Sequence, residues 1–182
     1  MGRIILGIDP GTTITGYGII TTDLKKPVLL SFGVLNLSKL SDHYEKLHKI
    51  FERTLSLIDE YKATELAIES QFFGKNVQSM LKLGRAQGTA IAAALYRHLP
   101  VFEYAPRKIK MSITGQGSAS KEQVAFILQR ILKFEDLPKN LDATDGLAAA
   151  VCHFFQNSYE TKGNDKAKSW KDFVARNPKR VK

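Results

Sequence analysis

Cysteine is almost absent from this sequence: Cys152 is the only one in 182 residues. A single thiol excludes an intramolecular disulfide and a cysteine-based zinc site. Its neighbours are apolar, so it reads as a small buried side chain rather than a nucleophile. Histidine is sparse as well, and His43, His48 and His98 fall on predicted helices with no partner pattern. No apolar run approaches the ~20 residues that cross a bilayer. Asp9 interrupts the N-terminal apolar run too early for a signal peptide. Leu6 stands where a myristoylation signal wants Ser or Thr. No membrane association is expected, and a reducing cytoplasm is the expected compartment. Acidic excess is also missing: 27 Lys and Arg against 18 Asp and Glu give a net charge of +9. A basic balance favours polyanionic partners, because each neutralised phosphate releases counterions.

What is present is an ordinary globular mix, 43% hydrophobic and 25% charged, long enough for one domain with a core of normal size. The charge is uneven. Residues 160–182 hold eight Lys and Arg against three Asp and Glu, and apolar periodicity fades from Thr161. The chain therefore divides into a domain over 1–159 and a basic, mobile tail over 160–182. Trp170 and Phe173, three apart among lysines, leave a short amphipathic helix or a docking motif open.

Apolar runs rich in Ile, Val and Leu predict strands at 3–9, 15–22 and 28–37, close enough for an antiparallel meander. Leu40, Tyr44, Leu47, Phe51, Leu55 and Ile58 lie three or four apart and predict a helix over 40–61. A short strand ends at Glu69. A long helix follows from about Asn76 to His98, and a fifth strand runs over 100–104. Helices follow at about 106–112, 120–132 and 142–157. The expected fold class is α/β, a five-stranded mixed sheet with helices on its faces. No internal repeat is visible.

Four carboxylates stand where chemistry could use them. Asp9 ends the first strand, and Glu69 ends the fourth. Asp142 and Asp145 open the last core helix, where spacing i, i+3 puts them on one face. Gly146 and Ala149 beside them are expected to leave room for an ion and a bulky substrate. Each acid alone has a plainer reading. Asp142 suits a helix N-cap, Asp145 the positive end of the helix dipole, and Asp9 a turn. Glu69 is harder to place so, since a carboxylate closing an apolar strand is costly unless solvated or paired. Brought together, four acids repel unless cations join them. Oxygen-only donors suit Mg²⁺ or Mn²⁺. Two such ions roughly 4 Å apart can activate water and stabilise the leaving oxygen of a phosphodiester.

The run Ile8-Asp9-Pro10-Gly11, Gly16-Tyr17-Gly18, Ala67-Ile68-Glu69, Met80-Leu81-Lys82-Leu83-Gly84, Val101-Phe102-Glu103-Tyr104, Gly115-x-Gly117-x-Ala119-x-Lys121 and Asp142-x-x-Asp145 resembles, in order, the RuvC Holliday junction resolvases. The resemblance covers about residues 2–158 and leaves the tail aside. It implies an RNase H-like fold and a homodimer. It also implies Mg²⁺-dependent symmetric nicking of two opposed strands in a four-way junction, and RuvA and RuvB as branch-migration partners. By position it implies Asp9, Glu69, Asp142 and Asp145 as ligands of two Mg²⁺, which Mn²⁺ can replace. Phe72 falls on an aromatic thought to stack on junction bases, and Lys110 and Lys121 fall on basic residues near the scissile phosphate.

The residues agree with this reading. Phe72 and Phe73, flanked by Gly74, Lys75 and Asn76, cannot both face one core from a regular element. One of them, or a neighbouring Lys75 or Asn76, can meet DNA, since base stacking tolerates any sequence. The alternative is local packing. Ser120 to Gln123 reads as a capping box. Lys121 then adds a cation at a helix end that already attracts anions, which disfavours the helix and favours a phosphate. Gly84, Gly88 and Ala92 let a second backbone approach, either the chain's own sheet or a second subunit. His153, two turns past Asp145, lies ~12 Å away and is expected to be structural. Ile8-Asp9-x-Gly11-Thr12 also resembles the first phosphate loop of actin-like ATPases and sugar kinases, but that fold needs two lobes and a later Gly-rich stretch not found here. A non-catalytic junction-binding protein, or a related two-metal nuclease on another branched or hybrid duplex, stays open.

Overall fold

Strand-period and helix-period segments alternate along the chain as the sequence predicts, and the computed structural model folds them into two layers of helices around one sheet. The structure describes residues 2–22, 26–71 and 76–160. Five strands, β1 (Ile4–Asp9), β2 (Ile14–Thr21), β3 (Val28–Asn36), β4 (Glu65–Glu69) and β5 (Val101–Tyr104), alternate with α1 (His43–Tyr61), α2 (Val77–Tyr96), α3 (Pro106–Thr114), α4 (Lys121–Leu132) and α5 (Asp142–Glu160). Sheet order is β3-β2-β1-β4-β5. The meander β1-β2-β3 is antiparallel, while β1 with β4 and β4 with β5 run parallel. The mixed sheet with helices on both faces is thus present.

Local signals set the element ends. Asp42 accepts from the Glu45 amide and starts α1 there, so Leu40 lies before the helix rather than in it. Asn76 does the same for α2 through the Ser79 amide. Pro106 opens α3, whose end at Gly115 needs the left-handed φ of 75°. Such a φ costs glycine little. Ser120 and Gln123 form the predicted capping box on α4.

Alternation along the strands sorts side chains between two cores. Leu6, Ile8, Ile19, Leu66 and Ile68 pack against α1 and α2. Ile5, Ile20, Ala67 and Tyr104 face α3, α4 and α5. Helix α5 lies on the middle of the sheet and is buried almost all round from Ala143 to Phe154. It can approach so closely because glycines meet there. A Cβ on Gly146 would come within 2.6 Å of the carbonyl of Gly16. This corrects one expectation. Gly146 makes no room for an ion; its missing side chain is filled by the backbone of β2. Ala149 is likewise fully buried in the core. The close approach carries the first turn of α5 to the strand ends.

Candidate active site

Parallel pairing of β1 with β4 runs to Ile8 against Ile68, so the next residues, Asp9 and Glu69, end neighbouring strands side by side. Both face the α5 side of the sheet, as Gly7 and Ala67 do two residues earlier. Asp145 descends from the first turn of α5, and Lys110 and Lys121 arrive from α3 and the start of α4. Together these five line one cavity of about 200 Å³ with Ile109 among its apolar walls. Asp142 stands beside it. Its Oδ1 accepts from Lys121 Nζ at 2.8 Å, and the same ammonium donates to Asp145. Capping at this turn falls to Asn140, whose side chain accepts from the Asp142 amide at 2.9 Å. The Asp142 carboxylate is thereby left to face Lys121.

The acids crowd one another. Burial, and then the charge of Asp145, push Asp9 up to about 7 against the pull of Lys121. Burial, and then Asp9 and Asp145, push Glu69 up to about 8. Burial also raises Asp145, although Lys121 opposes it. Burial works against the charge on Lys121, but its hydrogen bonds to Asp142 and Asp145 hold it above its ordinary value. Two ammonium groups, Lys121 and Lys110, are too little charge for four carboxylates.

Could these residues hold a metal? The donors are all carboxylate oxygens, the set that hard divalent cations take. Among the described residues, no group of three or more His, Cys, Asp or Glu closes around a single point. Lys121 Nζ lies between Asp142 and Asp145. The donor set fits Mg²⁺ or Mn²⁺ once that ammonium moves aside. Its half-exposed, flexible side chain allows this.

Of the remaining sequence-predicted residues, Asn76 is the N-cap of α2, 3.1 Å from the Ser79 amide, a role its reading as a DNA contact did not include. Phe72, Phe73 and Lys75 lie outside the described residues, as does the tail from residue 161. Below the cavity the structure joins groups that sequence reasoning left apart. Arg3 grips Glu65 with two hydrogen bonds of 2.7 Å. Glu65 Oε2 lies 2.6 Å from Nε2 of the fully buried His153, whose Nδ1 lies 2.6 Å from the Tyr104 hydroxyl. His153 is structural, as expected, and Glu65 is the partner that was missed. The available signal was Glu65 itself, an acid four residues before Glu69 and therefore on the same strand face. Cys152 is buried, and burial pushes its thiol up, as a core residue rather than a nucleophile.

Known proteins resemble this one over nearly its whole length. The family model for Crossover junction endodeoxyribonuclease RuvC matches residues 5–153. The Crossover junction endodeoxyribonuclease RuvC of Christiangramia forsetii is 61% identical over 180 residues, 99% of this chain and 93% of that one. The solved Thermus thermophilus RuvC in complex with Holliday junction substrate superposes with a TM-score of 0.77 at 30% identity, over 87% of this chain and 97% of that chain. The yeast mitochondrial Holliday junction resolvase shares the fold, with a TM-score of 0.67 at 14% identity over 87% of this chain and 80% of that chain.

Proposed function

The chain belongs to the RuvC family of crossover junction endodeoxyribonucleases, and from that premise we propose that it resolves Holliday junctions by paired symmetric nicks in recombination and repair. The observation that carries the proposal is the cavity where Asp9, Glu69 and Asp145 converge with Lys110 and Lys121. Acids in a DNA site weaken binding unless cations offset them. Their concentration here is therefore explained by metal-assisted phosphodiester hydrolysis and by no simpler binding role.

Asp9, Glu69, Asp142 and Asp145 would hold two Mg²⁺, with Mn²⁺ as substitute. When bound, such ions lower the pKa of an attacking water and stabilise the departing 3′-oxygen. Lys121, released from Asp142 and Asp145, turns its charge toward the scissile phosphate. Lys110, across the cavity, adds a second positive charge where negative charge grows. The apolar wall from Ile109 limits water around these charges and strengthens them. The products carry 5′-phosphate and 3′-hydroxyl ends. Phe72 or Phe73 stacks on an unpaired base, with Lys75 and Asn76 on the flanking backbone.

A four-way junction offers two equivalent strands, which a two-fold homodimer would meet with two equivalent sites. Helix α2 supports that reading. Val77, Leu81, Leu95 and Tyr96 are exposed, and a Cβ on Gly84 or Gly88 would meet nothing within 4 Å among the described residues. The nuclease domain over 1–159, the basic tail over 160–182 as a contact for DNA arms, and the RuvA and RuvB partners belong to the same proposal.

The test compares a synthetic four-way junction with a linear duplex of equal length, with Mg²⁺, with Mn²⁺ and with EDTA. Paired, metal-dependent nicks in the junction alone are expected. Equal cutting of both substrates would leave a metal-dependent nuclease without junction specificity and overturn the proposal.

A further inference from the structure

We propose that the partly buried Glu65–His153 pair is a positioning device that sets the register of α5 along β4 and thereby holds Asp145 against Glu69. The proposal rests on the reading of Asp145 and Glu69 as metal-binding residues.

Geometry carries the inference. Glu65 and Glu69 share one face of β4, four residues apart, or about 13 Å at the rise of a strand. Asp145 and His153 are eight residues apart on α5, or about 12 Å at the rise of a helix. The two elements run in opposite directions with these spans matched. At one end Glu69 and Asp145 share the cavity. At the other, Glu65 and His153 meet at 2.6 Å. Fixing one end of such a pair fixes the other.

The fixed end is well determined. Burial pushes the Glu65 carboxyl up, but hydrogen bonds from Arg3 and His153 outweigh that and hold it below its ordinary value. It is therefore an ionised acceptor, so Nε2 of His153 carries a proton and donates to it. Nδ1, on the other side of the ring, pairs with the Tyr104 hydroxyl at 2.6 Å. Tyr104 is paired in register with Glu69 across β4 and β5, and its carbonyl accepts from the Ser70 amide. His153 thus ties α5 to β4, which carries Glu69, and to its neighbour β5. The Phe102 ring lies against the imidazole, with centroids 4.3 Å apart and planes tilted by 34°.

An apolar residue could fill this space. Buried ionic groups are often no more stabilising than well-packed hydrophobic ones. What the hydrogen bonds add is direction. An apolar contact tolerates a slide of α5 along the sheet by a fraction of an ångström, whereas a chain of 2.6–2.7 Å bonds does not.

The experiment uses the full chain with His153→Leu, His153→Gln and Tyr104→Phe. Mn²⁺ binding without DNA is followed by electron paramagnetic resonance, beside kcat, KM for the junction and Tm. His153→Leu is expected to weaken Mn²⁺ binding and lower kcat about tenfold each, with KM within about twofold. His153→Gln, whose amide can donate to Glu65, is expected to recover most of both. A purely structural role would lower Tm for both variants and leave kcat per folded molecule unchanged. Wild-type Mn²⁺ affinity and kcat in a folded His153→Leu protein would overturn the proposal. If that variant does not fold, Tyr104→Phe decides: a several-fold drop in both quantities supports the register role, and none overturns it. A wild-type protein that neither binds Mn²⁺ nor cuts would overturn the site reading first, and this inference with it.

Discussion

Lys121 is the residue on which the electrostatics of the site turn. Its ammonium bridges Asp142 and Asp145 and stands in for a cation, yet it does not quiet Asp9 and Glu69, which burial and mutual repulsion raise to about 7 and about 8. The consequence for stability has a definite sign. A carboxyl whose folded value exceeds its unfolded value binds more protons in the native state, so stability falls as pH rises between the two. For Asp9 and Glu69 that window runs from the unfolded values, 3.8 and 4.5, up to about 7 and about 8. In EDTA, thermal unfolding is expected to lose on the order of 10 °C between pH 5 and pH 8.5 from these two groups. Millimolar Mn²⁺ is expected to restore it at the higher pH. A metal-free melting temperature that rises across this window would show that the acids are not crowded.

At the scale of elements, α5 is the organising piece. It packs over the glycines of β1 and β2, and this carries Asp142 and Asp145 to the ends of β1 and β4. A methyl group at Gly146 would press on the carbonyl of Gly16 and the Cα of Tyr17 at 2.6 Å. Gly146→Ala is therefore expected to destabilise by about 1–3 kcal/mol, the cost of overpacking, against the gain of about 0.5–1 kcal/mol that alanine usually brings to a helix interior. Denaturant unfolding measures this, and a neutral or stabilised variant would contradict the close approach. The elements themselves were legible in the sequence. Ile, Leu and Val alternation exposed the strands, and the spacing at 44, 47, 51, 55 and 58 exposed α1 as a helix but not its face, which is set by Ile50, Thr54, Leu57 and Ile58 while Tyr44 is exposed. Ser120 with Gln123 marked the start of α4 to the residue. The approach of α5 was not legible, because Gly146 beside two aspartates reads equally well as space for a ligand. Only Gly16 and Gly18, more than a hundred residues away in sequence, decide otherwise. Glu65 with His153, 88 residues apart, was hidden for the same reason: helix-to-strand register is a tertiary property.

At the scale of the molecule, Asp9 and Glu69 were legible because an acid that ends an apolar strand needs a partner. Asp142 and Asp145 were legible from their spacing. The structure brings Asp9, Glu69 and Asp145 with both lysines to one cavity, with Asp142 at its side. What spacing could not reveal is the position of Lys121 between the last two acids, since 21 and 24 residues separate it from them. The whole assembly proposed here is a two-fold pair of such sites, each meeting one strand of a junction. The most direct measurement takes Asp9→Asn, nearly isosteric and uncharged, and follows junction binding and junction cutting with Mg²⁺ on the same preparation. Binding is expected to stay within about threefold of the wild type, because Asp9 repels rather than attracts phosphate. Cutting is expected to fall by a thousandfold or more, roughly the scale seen when one member of a catalytic unit is removed. A variant that binds and cuts like the wild type would take Asp9 out of the metal-binding set and contradict the mechanism at its first residue.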